Sequence, residues 1–533
     1  MIVSRRLTAM LIALVLSGLV HGGDTSHVVS ADLLRNYVKQ FNAADEELYA
    51  NIPNGEAADF LAKRIPFFEC PNKAVERTYY FRWWTFRKHI KKTDDGYVIT
   101  EFLPNVAWAR KHNTINCAVG HHYYEGRWLK HQPILDDYSV FWLRKGGRPR
   151  QYSCWLADAM LKRHWVTPNP ELITDLLPDL VKNFEAWEAG RVWGKHRIGR
   201  HRSRMFFTID DRDGMEMSIG GSGYRPTLNS YLYGDAMAIA AISRMAGNEE
   251  QAQRFDKKAE ELKKLVQTRL WDSKAQFFKV LAAEAESLSD VRELIGYTPW
   301  YFNLPDAGYE EAWAQLMDPR GFSAAYGPTF TEQRHPQFKI SYDGHECQWN
   351  GPSWPLATSV TLTAFANLLN DYDQDIVDKE DYFQTMMAYT HCHQRKKADG
   401  MVVPWIDENL NPFTGEWISR TRLKQWKNGS WDPKKGGKER GKDYNHSSYN
   451  DLIITGLVGL RPRADGQVVV NPLLPAGQWD YFCLDRVSYR GRDLTILWDK
   501  TGEKYHKGKG LRVFADGRLV ASSPRLERVS GKP

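Results

Sequence analysis

The chain has 533 residues, of which 42% are hydrophobic and 26% charged, the composition of an ordinary globular protein. A chain of this length exceeds what one hydrophobic core usually supports, so two or three domains are expected unless the fold is a barrel or a helical array. The net charge of +7 is modest and the charges alternate in sign along the chain, which argues against nucleic acid as a partner.

The N-terminus has the pattern of an export signal. Arg5 and Arg6 precede the apolar stretch LTAMLIALVLSGLV, and the small residue Gly22 stands at a plausible cleavage position. This predicts a signal peptide over residues 1–22 and a secreted or periplasmic protein. No later stretch is apolar enough to cross a membrane, so no membrane span is expected in the mature chain.

Residues 23–460 are predicted to be mainly helical. An apolar helix over residues 228–247 precedes a more polar one that starts at Asn248, and the pairs 152–166 with 169–190 and 353–372 with 378–400 repeat this alternation. A further apolar helix is predicted over residues 447–460. Because the apolar helices must bury one another, and no sequence repeat accompanies them, the pattern favours a closed helical barrel over a solenoid.

Residues 461–533 change to short β-branched runs with turn signals between them, such as the Ala-Asp-Gly-Arg turn at 515–518. A small C-terminal β domain is predicted there. The fold class expected for the whole chain is therefore mainly α, a closed helical barrel with a small C-terminal β domain.

Acids, aromatic residues and loop formers coincide in three segments between the helices. These are DGMEMSIGGSGYRP at 213–226, HECQWNGPSWP at 345–355 and WIDENLNPFTGEW at 405–417. Two carboxyl groups across an aromatic cleft are the minimum requirement for glycoside hydrolysis, one as proton donor and one to activate water or attack carbon. Glu216 and Glu408 are the candidates, with Asp213 as the alternative acid.

These segments resemble motifs of the trehalase, mannosylglycerate hydrolase and processing α-glucosidase group, which are six-hairpin (α/α) barrel enzymes similar to glycoside hydrolase family 63. In that group the first loop carries an Asp as general acid, and Glu216, one methylene longer, stands in its place. The second segment resembles the element that lines the sugar pocket, and the third resembles the element whose Glu is the general base. The matching residues are Gln348, Trp349, Asn350 and Trp354 in the second segment, and Glu408, Asn409, Asn411, Pro412, Thr414 and Gly415 in the third.

The resemblance implies a six-hairpin (α/α)6 toroid and an exo-acting, inverting glycosidase with a carbohydrate substrate, which the N-terminal pattern predicts to be secreted. Four further residues are candidate substrate contacts: Tyr224 and Arg225 behind the first loop, Trp84 in an aromatic helix, and Asp137. The glycines at 220–223 are expected to let the backbone approach the sugar.

Other classes of function remain open from the sequence. Packing is the alternative role for Trp84, and a polysaccharide lyase using Arg225 and His345, or a non-catalytic carbohydrate-binding protein, are the alternatives to a hydrolase. The histidine pairs at 121–122 and 391/393 lack the spacing of zinc hydrolases, and no Gly-rich nucleotide motif occurs, so no metal or other cofactor is expected.

Overall fold

A computed structural model describes residues 27–49, 51–130, 133–284, 286–340, 345, 347–419, 437 and 440–533. The predicted signal peptide at 1–22 lies outside these residues. The chain is mainly helical in the described part, with small sheets concentrated towards the C-terminus, as the sequence predicts.

The helices have the following bounds in chain order: α1 Ala31–Ala44, α2 Asn54–Ala62, α3 Lys73–His89, α4 Val119–Gly126, α5 Pro133–Arg144, α6 Leu156–Val166, α7 Pro170–Asp175, α8 Leu177–Ala189, α9 Pro226–Met245, α10 Glu249–Arg269, α11 Thr298–Tyr301, α12 Ala314–Met317, α13 Pro355–Asp371, α14 Lys379–Cys392 and α15 Asn450–Leu452.

Helices α9 and α10 confirm the predicted pair of an apolar and a charged helix. Most of α9 is buried, whereas α10 buries only one stripe that includes Phe255 and Leu262. The side chain of Asn248 caps α10 by accepting a hydrogen bond from the backbone N–H of Gln251 at 3.0 Å. Gly247 adopts φ +72° in the turn, a conformation that glycine adopts at little cost.

The contacts between helices run in a closed cycle. Helix α4 contacts α6, α6 contacts α9, α9 contacts α11, α11 contacts α13, and α13 contacts α15, which in turn contacts α3 and α4. The more polar α10 and α14 pack on the outside of this series, against α9 and α13 respectively. The cycle therefore brings distant parts of the chain around one shared core.

Two predicted helices differ in detail from the structure. The segment 169–190 forms two helices, α7 and α8, which break at Leu176 next to Pro178. The predicted helix over 447–460 is a single turn, α15, that continues as a π-helical turn over Ile453–Leu457. Hydrophobic periodicity alone does not fix where a helix breaks or which type of helix a buried turn adopts.

The strands have the following bounds: β1 Phe67–Glu69, β2 Ile90–Thr93, β3 Gly96–Ile99, β4 Arg191–Trp193, β5 His196–Arg200, β6 Phe206–Thr208, β7 Gly223–Tyr224, β8 Trp271–Asp272, β9 Phe277–Phe278, β10 Gln394–Lys396, β11 Val402–Pro404, β12 Val468–Val470, β13 Tyr481–Tyr489, β14 Arg492–Asp499, β15 Gly510–Ala515, β16 Arg518–Ser523 and β17 Val529–Gly531.

The largest sheet joins the two ends of the chain. Its antiparallel order is β1-β13-β14-β15-β16, with Phe67 opposite Asp485. Four of its strands come from the predicted β region, and β1 comes from the predicted helical region. The boundary at residue 460 stays a prediction, because the sheet takes a strand from each side of it.

Candidate active site

Glu216 lies in a loop that ends at a short antiparallel sheet. A 3-10 turn over Asp211–Asp213 precedes it, and β7 follows it and pairs with β6. Gly214 adopts φ +74° where the 3-10 turn ends. The carboxylate of Glu293 accepts a hydrogen bond from Gly220 N at 3.0 Å, which anchors the far side of the loop.

The segment around Trp349 holds the two candidate catalytic loops together. The backbone N–H of Trp349 donates to the carbonyl of Glu216 at 3.1 Å. Four residues later, Ser353 and Leu410 exchange two backbone hydrogen bonds of 3.0 Å each, which fixes the loop of Glu408. The second of the three motif segments therefore positions both the loop of Glu216 and the loop of Glu408.

Glu408 is buried beside an arginine. Its Oε1 accepts a hydrogen bond from Arg440 Nε at 2.7 Å, and its Oε2 lies 3.3 Å from Arg440 Nη2. The thiol of Cys347 lies 3.7 Å from Oε2. Because a nearby guanidinium favours the charged form of a carboxyl group, this pair stabilises Glu408 as a carboxylate.

One cavity of ≈ 270 Å³ contains both candidate carboxyl groups. The residues that line it are Glu101, Phe102, Trp108, Ile115, Cys117, Tyr152, Asp211, Arg212, Gly214, Glu216, His345, Cys347, Trp349, Trp354, Leu356, Glu408, Arg440, Tyr444 and His446. The prediction that Glu216, Trp349 and Glu408 lie together is confirmed. They come from segments nearly 200 residues apart.

The acid candidate has the protonation behaviour that a proton donor needs. Burial, together with the negative charges of Asp211 and Glu408, raises the pKa of Glu216 to about 8, while a hydrogen bond with its own backbone and the charge of Arg440 act in the opposite direction. A carboxyl group with this pKa is mostly protonated at neutral pH. Glu216 therefore favours the protonated form and Glu408 the charged form, which is the difference that a general acid and a general base require.

Two tryptophans form an aromatic wall of the cavity. The rings of Trp349 and Trp354 are stacked with centroids 3.8 Å apart and planes at 8°. The indole N–H of Trp354 donates to the carbonyl of Gln348 at 2.9 Å, which fixes its orientation. Flat apolar faces of this kind suit the faces of a sugar ring.

Several lining residues were not identified from the sequence. Glu101 accepts a hydrogen bond from the hydroxyl of Tyr444, 343 residues away in the chain, and the ring centroids of Tyr444 and His446 lie 3.9 Å apart. Arg440 comes from the same late segment. All of these residues lie outside the three motifs. The cluster of polar and aromatic residues at 440–450 could have indicated Arg440, Tyr444 and His446 from the sequence.

Arg225 and Tyr224, two predicted substrate contacts, do not line this cavity. Arg225 is fully buried and donates to Asp213 Oδ2 at 2.7 Å, to Ser218 Oγ at 3.1 Å and to the carbonyl of Gly221. Tyr224 packs on Phe207 in the short sheet. The guanidinium of Arg225 and the ring of Tyr224 make these contacts with residues on either side of Glu216, and so they hold its loop in place.

The same contacts assign a structural role to Asp213. It is buried, and it accepts hydrogen bonds from Arg225 and from the hydroxyl of Thr227. The glycines after Glu216 also serve packing, since a Cβ at Gly223 would lie 2.5 Å from the carbonyl oxygen of Leu281. Their expected role in approaching a sugar is therefore replaced by close packing of β7.

Two other predicted substrate contacts lie away from the cavity. The ring of Trp84 is buried in α3, where its indole N–H donates to Asn42 Oδ1 at 2.8 Å and Lys88 Nζ lies 4.0 Å from its centroid. Asp137 accepts a hydrogen bond from Tyr97 N at 3.0 Å and joins α5 to β3. The structure thus places both residues in contacts within the protein and not on the wall of this cavity.

Gln348 and Asn350 flank Trp349 without lining the cavity. The backbone carbonyl of Gln348 orients Trp354, and that of Asn350 accepts a hydrogen bond from Lys339 N at 3.0 Å. Asn411, from the base motif, accepts hydrogen bonds from Phe413 N and Thr414 N and so shapes a turn. These motif residues support the site through the backbone.

Possible metal sites, membrane-spanning helices and disulfides also bear on function. Among the described residues, no group of three or more His, Cys, Asp or Glu is arranged to hold a metal ion, and no helix is long and apolar enough to cross a membrane. The six cysteines form no disulfide in the described part of the chain, and Cys70, Cys154, Cys392 and Cys483 are buried, as expected for small hydrophobic residues.

Comparison with known protein families assigns the chain. Residues 111–447 match the mannosylglycerate hydrolase MGH1-like glycoside hydrolase domain, and residues 460–521 match the C-terminal domain of glycosyl hydrolase family 65. The first match covers more than half of the chain and contains Glu216 and Glu408. The chain belongs to this family of glycoside hydrolase domains.

Several solved structures resemble this chain to different degrees. A protein described as a sialidase is 41% identical over 95% of this chain, with a TM-score of 0.86, and this chain spans 45% of that protein. The family 78 rhamnosidase of a Bacillus species is 11% identical over 84% of this chain and 41% of its own, with a TM-score of 0.50, and shares the fold. The family 63 mannosylglycerate hydrolase of Thermus thermophilus shows a weaker likeness, with 14% identity over 57% of this chain and 75% of its own and a TM-score of 0.40.

Proposed function

We propose that this chain hydrolyses glycosidic bonds of oligo- or polysaccharides, with Glu216 as general acid and Glu408 as general base. One observation carries the proposal. A single cavity contains a carboxyl group whose pKa is raised to about 8 and a second carboxyl group paired with Arg440. Hydrolysis of a glycoside needs this combination of a protonated acid and an ionised base.

The proposed reaction is a single displacement with inversion. The proton of Glu216 passes to the glycosidic oxygen as the bond between that oxygen and the anomeric carbon breaks. Glu408 takes a proton from a water molecule, whose oxygen forms the new bond to the anomeric carbon from the opposite face. The stacked pair Trp349 and Trp354 would contact the sugar ring, and Arg440 would keep Glu408 ionised and oriented.

We propose an (α/α)6 toroid as the architecture and exo-action as the mode of attack. The closed cycle of contacts from α4 through α15 supports the toroid. A cavity of ≈ 270 Å³ falls at the small end of ligand pockets, which span ~300–1,000 Å³. Such a cavity has room for the end of a sugar chain rather than for its middle.

We also propose that the protein is exported, since the apolar stretch at 7–20 follows two arginines. Expression of the full chain in a bacterial host, followed by N-terminal sequencing of the periplasmic and culture fractions, tests this. A mature N-terminus near residue 23 is expected, and a cytoplasmic product that retains Met1 or Ile2 would contradict it.

The position of Arg225 argues against a lyase and in favour of a hydrolase. That residue was the candidate for neutralising a uronate, and its guanidinium is buried in an ion pair with Asp213. The unsaturated product of a lyase absorbs ultraviolet light, so an absorbance increase during turnover would identify a lyase. Sugar binding without any turnover would identify a binding protein.

The proposed function is tested by a screen of nitrophenyl glycosides and of plant and algal oligosaccharides, followed by proton NMR of the best substrate. The first product is expected to have the opposite anomeric configuration to the substrate. A first product with the substrate's own configuration would show retention and would exclude Glu408 as a general base.

A further inference from the structure

The cavity contains polar atoms that the protein itself leaves without partners. Glu101 Oε2, the ring nitrogens of His446 and Nε1 of Trp349 are buried and make no hydrogen bond of normal geometry with the described residues, although the backbone of Glu408 lies close to the imidazole. All three residues line the cavity. A buried polar group without a full set of partners is destabilising, so such a cluster is expected where a ligand supplies the missing hydrogen bonds.

The structure holds Glu101 and His446 firmly in these positions. Tyr444 connects them, because its hydroxyl donates to Glu101 Oε1 and its ring centroid lies 3.9 Å from that of His446. The backbone adds a second link, since Asn445 N donates to the carbonyl of Glu101 at 3.1 Å. Two rigid side chains with spare hydrogen-bonding capacity are therefore placed on the wall that also contains Glu408.

The charges around the cavity indicate what kind of ligand fits. The guanidinium groups among the described lining residues belong to Arg212, paired with Asp211 at 2.7 Å, and to Arg440, paired with Glu408 at 2.7 Å. Burial lowers the pKa of His446 well below its usual range, so its imidazole is neutral. Each of these two cations is thus already balanced by a carboxylate, and a ligand without a negative charge is favoured.

We propose that Glu101 and His446 bind hydroxyl groups of an uncharged sugar ring in this cavity. The proposal rests on the proposed glycosidase function and adds to it two binding residues and a class of sugar. A neutral carboxyl group can donate one hydrogen bond and accept another, and so can a neutral imidazole. Both groups therefore match a hydroxyl, which donates and accepts as well.

Glu101 gives this binding a dependence on pH. Burial and the charge of Glu408 raise its pKa to about 8, against the effects of Tyr444 and Arg440. Cys117, Tyr138 and Tyr152 also interact electrostatically with Glu101. Below about pH 8 the neutral carboxyl group can donate to the sugar, and above it the carboxylate can only accept. Affinity is therefore expected to fall as the pH rises through 8.

The test uses Glu216→Gln as the parent, so that the acid itself does not titrate. Binding is measured at pH 6 to 9 by saturation-transfer NMR and titration with D-glucose, D-mannose, D-galactose, L-rhamnose and D-xylose, and with D-glucuronate and N-acetylneuraminate as charged sugars. Glu101→Leu and His446→Phe are each added to the parent, and roughly tenfold weaker binding of the preferred neutral sugar is expected at pH 6. Glu101→Gln keeps a donor and an acceptor, so it should bind at pH 6 and lose the decrease above pH 8.

Asp235→Asn in the same parent is the matched control. Burial raises the pKa of Asp235 to about 8 as well, but this residue lies in α9 outside the cavity, so the pH profile of binding should not change. Thermal unfolding verifies that each variant is folded. Unchanged binding in folded Glu101→Leu and His446→Phe, or an unchanged pH profile in Glu101→Gln, would overturn the inference and leave the proposed function standing. Tighter binding of a charged sugar would overturn the uncharged class, and no binding of any sugar to the parent would contradict the proposed function itself.

Discussion

Glu216 and Asp213 lie three residues apart, and their surroundings give them different roles. Asp213 is buried in hydrogen bonds with Arg225 and Thr227, whereas Glu216 lines the cavity with a raised pKa. The motif resemblance located this loop but left two acids in it. The two acids are distinguished by the surroundings and hydrogen-bond partners of each side chain. These depend on the tertiary structure and cannot be read from a short sequence motif.

The pH dependence of activity is expected to follow Glu216. Its pKa of about 8 means that the donor is protonated below pH 8 and loses its proton above it. The kcat/KM of the preferred glycoside should therefore decrease above about pH 8, in proportion to the protonated fraction of the free enzyme. Initial rates at substrate concentrations well below KM, between pH 5 and 10, measure this decrease. A decrease that is already complete below pH 6, or none up to pH 10, would contradict the assignment.

Asp213→Asn is expected to destabilise the fold. It leaves the buried guanidinium of Arg225 without its carboxylate partner, a change that costs about 3–5 kcal/mol of unfolding free energy. Urea denaturation measures the effect. Asp256→Asn, which breaks an exposed ion pair with Arg244 on the surface, is the control and should cost no more than about 1 kcal/mol. Equal effects of the two variants would show that Asp213 is not a structural anchor.

At the scale of the elements, the sequence predicts the long helices well because their hydrophobic pattern repeats over several turns. Helices α9, α10, α13 and α14 all correspond to predicted segments. Short elements were missed, including β1 and the sheet of β4 to β7, because two to five residues carry no measurable period. The pairing of β1 with β13 joins residues more than 400 positions apart and depends on the tertiary fold.

Helix α14 allows a direct test of a local sequence signal. The side chain of Asp378 accepts hydrogen bonds from Glu380 N and Asp381 N, and the side chain of Asp381 accepts one from Asp378 N, forming a capping box. Asp378→Ala should lower the unfolding free energy by about 1 kcal/mol, measured by urea denaturation. Asp375→Ala, at an exposed position before the helix, serves as the control. A loss no larger than that of the control would show that the box does not stabilise α14.

At the scale of the whole molecule, buried carboxyl groups are expected to couple stability to pH. Glu101, Glu216 and Asp235 each have a pKa raised to about 8, and Glu125 has one raised to about 7, chiefly by burial. A group whose pKa is raised on folding contributes stability that is complete below its unfolded value near 4 and is lost as the pH rises through the folded value. The free energy of unfolding should therefore decrease between pH 7 and pH 8, above the pKa near 6.5 of histidines in the unfolded chain.

Urea denaturation at quarter-unit steps from pH 7 to 8 measures this decrease. The double variant Glu101→Gln, Glu216→Gln removes two of these four groups and should flatten the curve. A wild-type stability that rises over this interval, or a double variant with the same slope as the wild type, would contradict the raised pKa values.

The proposed catalytic pair is a property of the whole molecule, because Glu216 and Glu408 line one cavity only in the folded chain. The resemblance of three short motifs identified both residues as candidates. It did not predict Glu101, Arg440, Tyr444 or His446, whose role depends on contacts such as those across 32 and 343 positions of the chain. Motif similarity thus identified the three loops, whereas the other residues that line the cavity could be identified only from the structure.

The most direct test of the central claim is the turnover number of Glu216→Gln and Glu408→Ala on the best glycoside found in the screen. Both variants should remain folded and bind the sugar, and both should lose at least about a hundredfold in kcat, since acid–base catalysis contributes 10²–10⁴-fold. Near-normal turnover in either folded variant, or loss of activity in Asp213→Asn with Glu216→Gln still active, would contradict the account.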